Sequence, residues 1–135
     1  MRITLCGSTT FVPEMKEISE KLKARGIDCL TPEPLVTEEE YALQNGREAL
    51  LRDKAFFTKR HFTKIEKSDA VLIVNNEKKG IKGYLGANTL IELSVAFYLG
   101  KKLYFLNSFD EKHPQFEELA GMNITVLNGN LDKIK

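Results

Sequence analysis

The chain has 135 residues, which is the size of a single domain with its own hydrophobic core. Apolar residues make up 42% and charged residues 29%, as in ordinary globular proteins, and the formal net charge of +1 argues against general attraction to nucleic acid or to an anionic membrane. No apolar run has the length of a membrane span and the first residues hold no secretory signal, so we expect a cytoplasmic protein.

Helix boundaries are marked by residues with known positional preferences. Pro13 suits the first turn of a helix, and Gly26 is a typical stop. Thr37 and Glu40 match the S/T-x-x-E capping box, in which each side chain accepts a hydrogen bond from the other residue's backbone N–H. Gly46 is predicted to divide the helical region that follows into two pieces.

Apolar runs alternate with these helices along the chain. The run at 70–75 is almost wholly apolar and β-branched, as in a parallel strand covered on both faces. The helix that starts near Thr89 is apolar on nearly every side, so we expect it to be largely buried. In chain order we predict strand 2–6, helix 13–25, strand 27–30, a helical region from 38 to 66, strand 70–75, helix 89–99, strand 102–107, helix 114–120 and strand 124–128.

Five strands that alternate with helices predict one α/β domain, built on a five-stranded, parallel, doubly wound sheet with right-handed crossovers. In such open sheets, ligands bind outside the carboxyl ends of the strands, near the switch in strand order. Three connecting stretches should meet there, at 7–11, 75–87 and 107–110.

The first candidate for ligand binding is the turn Gly7-Ser8-Thr9-Thr10, which comes directly after the first strand and before a helix. Small residues let a ligand approach the backbone, and amides near a helix start favour anions. A plain tight turn capped by Ser or Thr explains the same residues equally well.

The second candidate is the stretch from Gly86 through Asn88 and Thr89 to Glu92. Thr89 and Glu92 fit the capping box. The same position places an acidic side chain beside the predicted crevice, where a helix N-terminus favours the ionised carboxylate. A carboxylate there can attack a sugar carbon and form a covalent glycosyl-enzyme intermediate. The spacing alone leaves cap and catalyst about equally favoured.

Two further polar residues flank the strand at 70–75. Asp69 comes just before it, so we expect Asp69 at the amino end of the strand, in a turn with Ser68. Tyr84 lies in the Gly/Lys-rich loop at 76–87, where its ring is a candidate to stack on a ligand or to hydrogen-bond a hydroxyl.

No metal, cofactor or nucleic-acid site is predicted. His61 and His113 are far apart and neither has a partner at a ligand spacing, while Cys6 and Cys29 are predicted to be buried thiols. The segment at 54–67 mixes basic and aromatic residues, but helical spacing places its phenylalanines on a side that faces a core or a partner subunit.

Taken together, these blocks resemble the nucleoside 2-deoxyribosyltransferase-like superfamily. The run GANTLIELSVAFYLGKKLYFLN, at 86–107, matches that family's Thr/Ser, its nucleophilic Glu three residues later, and the helix that ends in Gly-Lys before a strand. RITLCGS at 2–8 matches the first strand with its Gly-Ser turn, and KSDAVLIVN at 67–75 matches the third strand. The blocks occur in family order.

The resemblance implies a flavodoxin-like fold and cleavage or transfer at the N-glycosidic bond of a (deoxy)nucleoside or its 5′-monophosphate, in a homo-oligomer whose sites borrow residues across the interface. It makes Glu92 the nucleophile, places Gly7 and Ser8 at the sugar or phosphate, and aligns Asp69 with an acidic residue near the base. The branch that acts on 5′-monophosphates carries an arginine where this chain has Thr10. The candidate substrate-binding residues are Gly7, Ser8, Thr9, Thr10, Tyr84, Gly86, Asn88 and Thr89.

Two alternative functions remain open. One is a phosphoribohydrolase of the lysine-decarboxylase-like group, whose signature is P-G-G-x-G-T-x-x-E, but only the T-x-x-E half is present. The other is a non-catalytic nucleotide-binding module on the same fold, in which Glu92 caps its helix.

Overall fold

The computed structural model describes residues 1–135 and contains the predicted alternation of strands and helices. The strands are β1 (Arg2–Gly7), β2 (Asp28–Leu30), β3 (Ala70–Val74), β4 (Lys102–Phe105) and β5 (Thr125–Val126). The helices are α1 (Val12–Ala24), α2 (Glu38–Asn45), α3 (Arg47–Glu66), α4 (Ala87–Tyr98) and α5 (Phe116–Ala120).

All five strands are parallel and lie in the order β2-β1-β3-β4-β5, which confirms the predicted fold class. The strand order reverses between β1 and β3, where Gly7 pairs with Val74 at the last step of the register. The carboxyl ends of these two strands therefore form the crevice in which open α/β sheets bind ligands.

The core has two halves, one on each face of the sheet. Met15 and Leu22 of α1 pack on one face, while Ile65 of α3 and Leu93 of α4 pack on the other. Every residue of β3 is buried, as its apolar composition predicted. Each fully buried Leu or Ile contributes roughly 1.5–3 kcal/mol, so the sheet is a firm base for the loops at its carboxyl edge.

Local boundary signals around α2 are confirmed in part. The Thr37 hydroxyl accepts a hydrogen bond from the Glu40 N–H at 3.0 Å, as a helix cap does, but the Glu40 side chain does not accept the Thr37 N–H, so only half of the predicted capping box forms. Gly46, at φ +90°, ends α2 and starts α3. Because a left-handed φ at this point costs glycine little, the chain turns here between the two helices.

The prediction that α4 is largely buried is wrong. Only one of its faces packs on the sheet and on α3, so Ile91, Phe97 and Tyr98 remain 47%, 48% and 87% exposed. Phe56 of α3 is also 58% exposed. Homo-oligomerisation, which the resemblance implies, stays a prediction.

Both cysteines are buried and unpaired, as predicted. None of the helices combines the length and the apolar character that crossing a bilayer requires.

Candidate active site

A cavity of about 520 Å³ lies at the carboxyl ends of β1 and β3, where the fold class predicted a ligand. One wall is the turn at 7–10, and the next is the start of α4 at 86–89. The opposite wall is formed by the segment at 32–41 and by α3. Its volume is within the range of small-molecule sites.

The turn after β1 is shaped by close contact with β3. A Cβ added to Gly7 would lie 3.0 Å from the Val74 carbonyl oxygen, so only glycine fits without moving a strand. The Ser8 hydroxyl then accepts the Thr10 N–H at 3.3 Å, which closes a short 3₁₀ turn over Thr9–Phe11. All four residues of the predicted turn line the cavity.

The helix α4 begins two residues earlier than predicted, and the expected Thr89–Glu92 capping box does not form. Gly86 occupies the cap position and no side chain caps this end. Thr89 is already inside the helix and buried, so its N–H is not at the cap position that Glu92 would have to satisfy. Glu92 is therefore released from capping and lines the cavity together with Gly86, Asn88 and Thr89.

Glu92 forms the floor of the cavity beside His61 of α3. Glu92 is 8% and His61 3% exposed, and Glu92 Oε2 lies 4.0 Å from His61 Nε2, which is beyond hydrogen-bond distance. Burial raises the pKa of Glu92 to about 8 and lowers the pKa of His61 to about 4. Both groups are thus mainly neutral at pH 7, and the two do not form an ion pair.

The expectation that the helix N-terminus keeps Glu92 ionised is therefore wrong. The favourable field is strongest in the first turn, and Glu92 lies beyond it in the helix that starts at Ala87. Removal of the carboxyl from water acts in the opposite direction and dominates.

His61 is held by the strand beneath it. Its Nε2 lies 2.9 Å from the Leu5 carbonyl oxygen and 3.5 Å from Cys6 Sγ. A carbonyl can only accept, so Nε2 carries the proton and donates it to Leu5. The remaining lone pair is on Nδ1, which is buried without a hydrogen-bond partner. Burial and the neighbouring Glu92 raise the pKa of the Cys6 thiol.

Cys6, His61 and Glu92 bring three potential metal ligands within 4.8 Å of one another, although their sequence spacing indicated no metal site. The Nε2–H donated to Leu5 argues against a metal, because a ligating nitrogen must offer its lone pair. The second ring nitrogen of a metal-bound histidine also normally donates to a partner, and Nδ1 has none here. The cluster is therefore better described as a neutral, closely packed group. That no metal binds stays a prediction.

Two predicted site residues lie elsewhere. Asp69 is at the amino end of β3, where its carboxylate accepts the Arg2 N–H at 2.8 Å. This confirms the placement expected from the strand pattern. Asp69 does not line the cavity, and the role near the base that the resemblance implies for it stays a prediction. Tyr84 does not line the cavity; its ring packs against the core, and the Lys78 ammonium lies 5.3 Å from the ring centroid.

The structure adds residues that the sequence did not single out. His61 and Lys78 line the cavity, and so do Tyr41 and Phe57, whose rings meet edge-to-face at 5.6 Å. The sequence did contain an indication that His61 is a site residue, because a histidine on the apolar side of a long helix needs a polar partner. Nothing in the sequence indicated that this partner lies beside Glu92.

Most carboxylates of the opposite wall are paired. Glu38 lies 2.8 Å from the Lys54 ammonium, and Glu33 lies 2.7 Å from Arg60 and 3.2 Å from Lys64. Lys64, which also hydrogen-bonds Glu33, holds the pKa of that carboxyl below its usual value. The wall therefore carries little unbalanced negative charge.

Two solved structures have a similar fold. A 2-deoxyribosyltransferase from the psychrotolerant bacterium Bacillus psychrosaccharolyticus has 16% identity and a TM-score of 0.56, over 82% of this chain and 75% of that chain. A CMP N-glycosidase of Clostridium botulinum has 14% identity and a TM-score of 0.55, over 93% of this chain and 87% of that chain. These similarities confirm the fold that the sequence blocks implied.

No protein-family model matches the sequence, and no curated protein matches it either.

Proposed function

We propose that this chain is a divergent member of the nucleoside 2-deoxyribosyltransferase-like superfamily and acts on the N-glycosidic bond of a nucleoside or nucleotide, with Glu92 as the nucleophile. One observation carries the proposal: a buried carboxyl without a hydrogen bond lies on the floor of a cavity at the switch point of the sheet. The similar fold of the deoxyribosyltransferase and of the CMP N-glycosidase supports the reaction class.

The proposed reaction proceeds in two displacements. Glu92 attacks C1′ of the sugar, the C1′–N bond breaks, and the base leaves with the electron pair and takes up a proton. Water, or a second base, then attacks C1′, loses a proton and releases the Glu92 carboxylate. Water as the acceptor makes the chain a hydrolase, and a base makes it a transferase.

The raised pKa of Glu92 slows this reaction but does not prevent it. With a pKa of about 8, roughly one carboxyl in ten is ionised at pH 7, and ionising the rest costs about 1.4 kcal/mol. This is a tenfold effect on rate, which is small beside the acceleration that enzymes achieve. The developing positive charge on the sugar also favours the carboxylate that faces it.

The remaining walls suit the rest of a nucleoside. Gly7 and Ser8 allow the sugar to approach the backbone of the turn after β1, as the resemblance implies. Tyr41 and Phe57 offer aromatic surface on the opposite wall, against which a base can stack.

The test is base release, followed by chromatography, from ribonucleosides, deoxynucleosides and their 5′-monophosphates, with and without a second base as acceptor. Glu92→Gln should abolish release, whereas Glu40→Gln, which alters an exposed carboxyl of α2, should not. Absence of release from every substrate, or equal release by Glu92→Gln, would refute the proposal. Release from ribonucleoside monophosphates alone would favour the phosphoribohydrolase group.

A non-catalytic nucleotide-binding module is the second candidate, and the neutral state of Glu92 favours it. A protonated carboxyl donates a hydrogen bond, so Glu92 would hold a ribose hydroxyl instead of attacking C1′. Tight binding of a nucleotide that stays intact through a long incubation with stoichiometric protein would support this function.

A further inference from the structure

The Lys78 ammonium lies directly over the turn that follows β1. Its Nζ donates to the Thr10 hydroxyl at 2.7 Å and is 3.4 Å from the Ser8 hydroxyl, and all three residues line the cavity that also contains Glu92. The side chain is half-buried, with the Tyr84 ring 5.3 Å from the ammonium. A lysine from the loop after β3 is thus brought to the hydroxyls of the loop after β1.

The loop that carries Lys78 is held in place. Lys78 and Ile81 exchange backbone hydrogen bonds at 3.3 and 2.9 Å around a tight turn. His113 Nε2 donates to the Gly83 carbonyl at 2.9 Å, and the Asn75 side chain bonds the Asn107 backbone twice at 2.8 Å. Because both ends of the loop are anchored, little additional ordering is needed for Lys78 to bind a ligand.

The positive charge of Lys78 is not neutralised by the protein. No carboxylate lies within 4.0 Å of its Nζ, and Glu38 and Glu33 on the facing wall are paired with other cations. A cation directed at hydroxyl groups in a cavity is a suitable partner for an anion that also accepts hydrogen bonds.

The hydrogen-bond donors around Lys78 also favour an anion. The backbone N–H groups of residues 87–89 have no partner within α4, and no side chain caps this helix. The Ser8 and Thr10 hydroxyls complete a donor set that fits the several oxygens of a phosphate. The unpaired carboxyl of Glu92 lines the same cavity, so a ligand that carries both a sugar and a phosphate can contact the two groups together.

We infer that Lys78, with the Ser8 and Thr10 hydroxyls, binds the 5′-phosphate of the substrate, which makes nucleoside 5′-monophosphates the preferred substrate class. This inference rests on the proposed reaction at Glu92. The ammonium supplies a charge-assisted contact that an unphosphorylated nucleoside cannot use, so the phosphate adds to the binding free energy.

The test compares kcat/KM for a deoxynucleoside and its 5′-monophosphate, measured by base release. In the unaltered protein the monophosphate should be preferred, and Lys78→Met should lower the ratio of the two values about 10- to 100-fold. Lys78→Arg should keep most of the preference. Lys79→Met is the matched control, because this neighbouring lysine is exposed and does not line the cavity, and it should leave the ratio unchanged.

A binding experiment separates the phosphate from the chemistry. Glu92→Gln protein should bind an intact nucleoside 5′-monophosphate more tightly than the nucleoside, and the additional Lys78→Met change should remove the difference. Inorganic phosphate should compete with the monophosphate, and weaker competition in Lys78→Met would place the free anion at the same position.

The outcomes distinguish this inference from the proposal on which it rests. Release from nucleosides and monophosphates at similar kcat/KM, with a ratio that Lys78→Met does not change, would overturn the phosphate site and leave the reaction intact. A monophosphate that binds through Lys78 but is never cleaved would support the phosphate site and refute the reaction.

Discussion

Glu92 Oε2 and His61 Nε2 face each other across 4.0 Å on the floor of the cavity, and neither carries a full charge at pH 7. The two side chains come from neighbouring helices that pack on the same face of the sheet. Their burial shifts the pKa of the carboxyl upward and the pKa of the imidazole downward, because low polarity disfavours either charge. The activity and stability of the protein should both respond to pH through this pair.

The rate of base release should rise with pH. In the proposed reaction the attacking form of Glu92 is the carboxylate, so kcat/KM should increase up to tenfold per pH unit from pH 6 and level off above about 8. An ordinary carboxyl, already ionised at pH 6, would give a flat profile over this range. Initial rates in buffers of constant ionic strength measure the profile, and a flat result would show that Glu92 attacks from a different protonation state.

Glu92→Gln should stabilise the fold at neutral and alkaline pH. A carboxyl whose folded-state pKa is raised contributes most below its unfolded pKa near 4.5, and this contribution is lost as pH rises towards 8. The amide has no ionised form, so the variant should gain about 3 kcal/mol of unfolding free energy at pH 7. Urea denaturation at pH 5 and pH 8 measures the gain. A gain that does not increase with pH would contradict the shifted pKa.

His61 should limit stability on the acidic side. Its folded-state pKa of about 4 lies below its unfolded value near 6.5, so its contribution is present above pH 6.5 and is lost as pH falls towards 4. In a Glu92→Gln background, which removes the opposite titration, adding His61→Gln should flatten the fall of the melting temperature over this range. If the double and single variants lose stability in parallel, His61 does not titrate as the structure implies.

Gly7→Ala should be destabilising. The new Cβ would meet the Val74 carbonyl oxygen at 3.0 Å, and a backbone atom of the central sheet cannot move away as a flexible side chain can. We expect a loss of about 1–3 kcal/mol in urea denaturation. Gly121→Ala is the control, since an added Cβ there meets nothing within 4 Å, and it should change stability much less. Equal effects of the two changes would show that the strand spacing is not what requires glycine at position 7.

Removal of metal ions should not affect the protein. The His61 tautomer that donates to Leu5 leaves no lone pair on Nε2 for a cation beside Cys6 and Glu92. Base release and the melting temperature should therefore be the same after treatment with a chelator and after addition of zinc. A zinc-dependent rise in melting temperature that Cys6→Ser abolishes would show that the cluster does bind metal.

Local sequence patterns were sufficient to predict most of the fold. Thr37, Gly46 and the apolar run of β3 lie where their short-range chemistry predicts, because caps, turns and buried strands depend on neighbouring residues. The start of α4 was displaced because both Gly86 and Thr89 are acceptable cap residues. The tertiary structure selects Gly86, and this choice releases Glu92 from the capping box.

The charge at the turn after β1 was not predictable from its own residues. Thr10 stands where the related branch has an arginine, so the turn itself supplies no cation. Lys78 lies 68 residues away in sequence and donates to that same Thr10 hydroxyl. The same limit applies to Asp69, which the resemblance aligns with an acidic residue near the base, whereas the structure places its carboxylate at the amino end of β3, against the Arg2 N–H.

The sequence by itself determined the class of fold and the edge of the sheet at which the cavity lies, and it singled out Glu92 as the candidate carboxyl there. These features follow from apolar periodicity, from turn chemistry and from a motif with a short span. Only the tertiary structure decided the environment of Glu92, namely the burial that raises its pKa, the imidazole beside it and the lysine that lines the same cavity. Solvation and charge around a group depend on distances in space between residues far apart in the chain, and no local pattern encodes those distances.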